Sequence, residues 1–139
     1  MKYTSKLLPV FLSLLFISGC PKQNAQILSG GSQVELRSIQ TRSFETGDKT
    51  LIVRNIISTL QDLSFVIDKA DVDLGTVTAT KLSGYSIRMT VTARPKTQSV
   101  MLVRANAQYN LKAIEDPVLY QDFFNALQKS LFLTAHSVE

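Results

Sequence analysis

Two neighbouring stretches, 85–94 and 100–109, alternate apolar and polar residues along their whole length. Tyr85, Ile87, Met89, Val91 and Ala93 share one side of the first, with Met101, Val103, Ala105, Ala107 and Tyr109 on one side of the second. A period of two is the signature of a β-strand with one face turned to a core. Pro95-Lys96-Thr97-Gln98-Ser99 joins the two, and so short a connection makes them antiparallel neighbours. A sheet of such strands needs cover on its apolar face only. The rest of the chain must supply that cover.

Residues 33–44 read as a first strand, with Val34 and Leu36 alternating with Glu35 and Arg37. The phase slips at Ile39 and returns at Phe44, so a bulge is expected near Ser38–Gln40. Asp48 then caps a helix reaching residue 63, with Ile52, Ile56, Leu60 and Leu63 at the spacing of one face. Phe65–Asp68 reads as a second strand, 69–75 as a charged connection and Thr76–Leu82 as a third strand. Ser83-Gly84 fits a tight hairpin into the fourth strand, 85–94, and Val100–Tyr109 is the fifth. Residues 110–115 read as a loop. Asp116-Pro117 opens a last helix whose stripe is Leu119, Tyr120, Phe123, Phe124, Leu127 and Leu131, and which should fray near His136. The expected fold is α+β, in two layers. A mostly antiparallel sheet of about five strands carries two helices on one face. The order is strand, helix, four strands, helix, in a single domain over 33–139.

The start of the chain has a different character. Lys2 and Lys6 precede an apolar run, Leu7 to Ile17, broken by Pro9 and Ser13, and the sequence turns polar at once after Cys20. A basic start, a short apolar run and small residues before a cut make a secretory signal. The run is well short of the roughly 20 residues a membrane-spanning helix needs. The segment Ile17-Ser18-Gly19-Cys20 resembles the lipobox of bacterial lipoproteins. That resemblance implies cleavage between Gly19 and Cys20, lipidation of the Cys20 sulfur and acylation of the new amino group. It makes the membrane a partner through Cys20. The alternative is an ordinary secretory signal followed by a chance cysteine, but this is the chain's single cysteine. Residues 1–19 are then a signal peptide. Residues 20–32, with Gly30-Gly31 and little periodicity, form the lipidated cysteine and a flexible tether. Pro21 follows the cysteine where Asp commonly retains such lipoproteins at the inner membrane. The resemblance therefore points to the outer membrane, facing the periplasm, with the inner membrane as the alternative.

The order of elements beyond the tether is similar to one half of the TATA-binding-protein fold and to the helix-grip domains of the BamC family. The matching stretch is Leu60-Gln61-Asp62-Leu63-Ser64-Phe65, Val66-Ile67-Asp68 and Leu74-Gly75-Thr76-Val77. It implies a fold and carries no function across.

Composition narrows the chemistry. The net charge is +4, and Lys2 and Lys6 of the signal account for two of those charges. The remainder is only mildly basic, so charge does not argue for nucleic acid. Cys20 has no second cysteine to pair with, and His136 is the single histidine. No metal site or Ser-His-acid arrangement is legible from such an inventory. Asp68, Asp71 and Asp73 lack the ligand frame of a calcium loop and read as a solvated acidic turn. Gly47-Asp48-Lys49-Thr50 lacks the glycine spacing of a phosphate loop and reads as a helix cap. No cofactor, small-molecule substrate or enzymatic activity is expected.

The sheet's other face is the remaining candidate. Arg88, Thr90, Thr92 and Arg94 of the fourth strand should stand beside Arg104, Asn106 and Gln108 of the fifth. Thr78 and Thr80 should extend this surface, and Arg37 should join it from the first strand. An arginine-rich, hydrogen-bonding face suits bidentate contact with carboxylates and phosphates. The alternatives are a docking face for an envelope protein or for anionic envelope groups, or a solvated surface. The expected role is that of a membrane-anchored envelope lipoprotein with a binding or scaffold function. A dedicated subunit of an envelope assembly or secretion machine is the alternative.

Overall fold

The computed structural model describes residues 33–136. The signal, Gly19, Cys20 and the tether lie outside the described residues.

Three helices and six strands follow in the order α1 (Gln33–Ile39), β1 (Thr41–Phe44), α2 (Lys49–Asp62), β2 (Val66–Asp71), β3 (Thr76–Leu82), β4 (Ser86–Pro95), β5 (Met101–Tyr109), β6 (Lys112–Ala113) and α3 (Pro117–His136). Every strand pairing is antiparallel, in the order β1-β5-β4-β3-β2, with β6 also on β5. The α+β class, the two-layer build and the one-sided sheet follow the sequence expectation.

The pleat decides the layers. Val77 and Ala79 of β3, Met89, Val91 and Ala93 of β4, and Met101, Val103, Ala105 and Ala107 of β5 are all buried. They meet Ile52, Val53, Ile56 and Leu60 of α2 and Tyr120, Phe123, Phe124 and Leu127 of α3, and together these form one core cluster. Burying an aliphatic or aromatic side chain contributes about 1.5–3 kcal/mol, so this layer dominates the stability of the fold. The two helices are tied by Asn55, whose Oδ1 accepts from Ser130 Oγ (2.7 Å) and Thr134 Oγ1 (3.0 Å).

Local signals set the element ends. The Asp48 carboxylate accepts from the Leu51 N–H at 2.9 Å, and the Asp116 carboxylate accepts from the Val118 N–H at 3.0 Å, each capping its helix. Gly75 sits at φ 66°, and a Cβ there would clash with the Ala93 carbonyl oxygen. Only glycine combines that conformation with so close an approach.

Four expectations are corrected. Residues 33–39 are helical, with no bulged strand there, and β1 begins only at Thr41. The slip from Leu36 to Ile39 is a helical step of three: both residues are half-buried, and Ile39 packs on the core. The charge order, Glu35 in the first turn and Arg37 in the last, also suits the helix dipole. Second, β2 runs from Val66 to Asp71, with a register shift between Ile67 and Lys69, so the connection to β3 is shorter than expected. Third, the presumed loop after β5 contains β6. Asn110, at φ 52°, turns the chain so that Lys112 pairs with Tyr109. Fourth, Tyr85 lies in the hairpin turn and Tyr109 at a strand end. Both are exposed, and their rings meet edge to face at 5.5 Å instead of entering the core.

Candidate functional site

The polar face of the sheet is assembled by register. Thr76 opposes Thr92, and Thr92 opposes Arg104, which in turn opposes Thr41 of β1. The next row is Thr78, Thr90 and Asn106, and the one after it Thr80, Arg88 and Gln108. Directly opposed residues in an antiparallel ladder share a face. The structure therefore brings Arg88, Thr90, Thr92, Arg104, Asn106 and Gln108 onto one surface, with Thr78 and Thr80 extending it. Arg94, two residues beyond Thr92, lies on the same face opposite Leu102.

Arg88, Arg94, Arg104 and Asn106 are exposed, whereas Thr90, Thr92 and Gln108 are half-buried between their neighbours. Among the described residues, the three arginines have no hydrogen-bond or ion-pair partner. The hydroxyls of Thr78 and Thr90 lie 3.4 Å apart across the ladder. This face bears free cations on a floor of threonine and amide groups, and neither α2 nor α3 covers it.

Arg37 reaches this surface from an unexpected element. It projects from α1, at the β1 side of the sheet, and lines a groove of about 470 Å³ with Arg104, Asn106, Lys112 and Glu115. A smaller hollow of about 170 Å³ adjoins it, shares Gln40, Asn106 and Ala113, and adds Arg88. Sequence reading missed Gln40 and Lys112, because it took α1 for a strand and β6 for a loop.

The groove wall is held by the Tyr120 hydroxyl. β1 covers the first part of β5's outer edge and β6 the last, which leaves a gap in the ladder. There the Gln40 carbonyl accepts from the Ala105 N–H (2.9 Å), and the Ile114 N–H donates to the Ala107 carbonyl (2.9 Å). Tyr120 Oη accepts from Gln40 Nε2 and from the Ala107 N–H, both at 3.2 Å, and donates to the Ile114 carbonyl at 2.6 Å. One hydroxyl carries one donor and two acceptor sites, so its capacity is fully used.

The other singled-out residues have structural partners. Asp68 accepts from Thr80 Oγ1 at 2.7 Å, Asp71 from the Leu74 N–H at 2.8 Å, and the Asp73 carbonyl from Lys49 Nζ at 3.0 Å. His136 Nδ1 donates to the Phe132 carbonyl at 2.8 Å, and its ring stacks on Phe132 at 4.1 Å. Among the described residues, no group of three His, Cys, Asp or Glu side chains converges on a metal position. No helix among them is long and apolar enough to cross a membrane. No protein-family model matches the chain, and no curated protein matches it either.

Proposed function

We propose that this chain is a lipid-anchored envelope protein, tethered through Cys20 and acting by binding rather than catalysis, with the open face of β3, β4 and β5 as its docking surface. The observation that carries the reading is the set of exposed arginines, Arg88, Arg94 and Arg104, which have no partner among the described residues and stand above a hydrogen-bonding floor. Guanidinium groups left free on an exposed sheet face suit bidentate contact with carboxylates or phosphates. A lipid anchor adds to this by raising the local concentration of membrane-bound partners. Several acyl chains give stable attachment where one is marginal.

A second reading, a subunit dedicated to an envelope assembly or secretion machine, draws on the same face. It requires one tight partner in place of several weak ones. Photo-crosslinking in living cells tests both, with a probe at position 88 and then 104, and a control at Arg54 on the exposed side of α2. A single discrete adduct from the sheet positions, absent from the control, supports docking and yields the partner for the second reading. A smear equal to the control refutes the docking face. The anchor is tested separately. Cys20→Ala should accumulate as an unlipidated, uncleaved precursor, and normal processing of that variant would remove the lipoprotein reading.

A further inference from the structure

The groove beside α1 is lined by three cations. Arg104 and Lys112 come from the consecutive strands β5 and β6 and Arg37 from α1, with Gln33 and Asn106 as neutral hydrogen-bonding groups and, among the described residues, Glu115 as the one acid lining it. Among the described residues, none of the three cations has a hydrogen-bond or ion-pair partner. Like charges gathered around one hollow raise each other's energy, and a bound anion relieves that. At about 470 Å³ the groove is an open hollow with room for a headgroup phosphate. Among the described residues that line it there is no aromatic anchor of the kind that marks protein hot spots. Its rim includes Gln33, where the described chain begins and where residues 20–32 would join. A flexible chain of a dozen residues spans on the order of 20 Å, so a domain anchored through Cys20 would hold this groove within range of a bilayer surface.

We infer that this groove receives the phosphate of an anionic phospholipid headgroup in the membrane that holds the anchor. The inference rests on the lipid-anchored reading. With the domain already tethered, headgroup contact is intramolecular in effect, so a modest site suffices. Docking would lay α1 and β6 against the bilayer and hold the open sheet face at a set angle to it.

The test uses the mature protein purified from membranes and reconstituted into vesicles of phosphatidylcholine alone, or of equal parts phosphatidylcholine and phosphatidylglycerol. Hydrogen exchange is followed in peptides covering 33–41 and 104–113, with one in α2 as control. The expected result is several-fold slower exchange in both peptides with phosphatidylglycerol only, lost in the Arg37→Gln/Arg104→Gln/Lys112→Gln variant. No dependence on phosphatidylglycerol, or a dependence that survives in the variant, overturns the inference. Equal slowing by inorganic phosphate on phosphatidylcholine vesicles overturns the headgroup in favour of a free phosphate. Slowing by polyglutamate but not by phosphatidylglycerol overturns it in favour of an acidic protein. Flotation with phosphatidylcholine vesicles reads the anchor on its own. Failure there sinks the anchored reading, whereas flotation with phosphatidylglycerol vesicles alone, abolished in the variant, still supports the groove.

Discussion

Removing a single oxygen atom should test whether the Tyr120 hydroxyl closes the gap in the β5 edge. Tyr120→Phe keeps the ring, which is fully buried among Phe123, Phe124 and the sheet, so no large cavity opens. It deletes the partner of Gln40 Nε2, the Ala107 N–H and the Ile114 carbonyl together. The bond to the Ile114 carbonyl is only part-buried, which gives that group some relief, while Gln40 is itself buried. The Ala107 N–H lies in β5 with Tyr120 Oη as its acceptor, and its residue is 3% exposed. A buried donor left unpaired costs about 1–3 kcal/mol. With a smaller contribution from the other two groups, the loss should be about 2–4 kcal/mol. For a domain of about 100 residues that lowers Tm by roughly 10–25 °C. Circular dichroism melts and urea titrations of both proteins give the number. Tyr109→Phe, at an exposed hydroxyl, is the control and should change stability by less than about 0.5 kcal/mol. Hydrogen exchange in Tyr120→Phe should accelerate first in β6 and around Gln40, the groove wall, before the centre of β4. A melt indistinguishable from that of the parent protein would refute the account of the ladder gap.

Four further substitutions probe three parts of the fold by the same melts. Leu127→Asp places a carboxylate at a fully buried site and should cost more than about 4 kcal/mol, leaving little folded protein; unchanged melting would mean that α3 does not pack as described. Gly75→Ala combines a positive φ with a clash against the Ala93 carbonyl oxygen and should cost about 2 kcal/mol or more, whereas Gly84→Ala, with open space around it, should cost less; equal losses would argue against the close approach. Thr59→Val should stabilise by about 1 kcal/mol, because Thr59 Oγ1 is buried without a hydrogen-bond partner among the described residues; a destabilised variant would mean that this hydroxyl has a partner after all.

The period-two pattern of 85–94 and 100–109 fixed the apolar and polar sets of β4 and β5 before any coordinates, and each buried residue falls in its expected set. Asp48 and Asp116 marked the helix starts, and the α3 stripe foretold Tyr120, Phe123, Phe124 and Leu127 in the core. These features are local. Side-chain alternation, capping and helical spacing are properties of a few consecutive residues, so they can be read along the chain.

What escaped that reading depends on contacts between distant residues. A seven-residue segment such as Gln33–Ile39 has little helical preference of its own, and its state was decided by where Leu36 and Ile39 could pack. The Asn55 link to Ser130 and Thr134, the Tyr120 bonds to Gln40, Ala107 and Ile114, and the groove joining Arg37, Arg104 and Lys112 each bring together residues from separate elements. The sequence alone determined which face of each central strand is polar. Only the tertiary structure decided which charges on that side gather around one hollow, because that depends on how α1 and β6 are set beside the stretch of β5 between its two strand pairings.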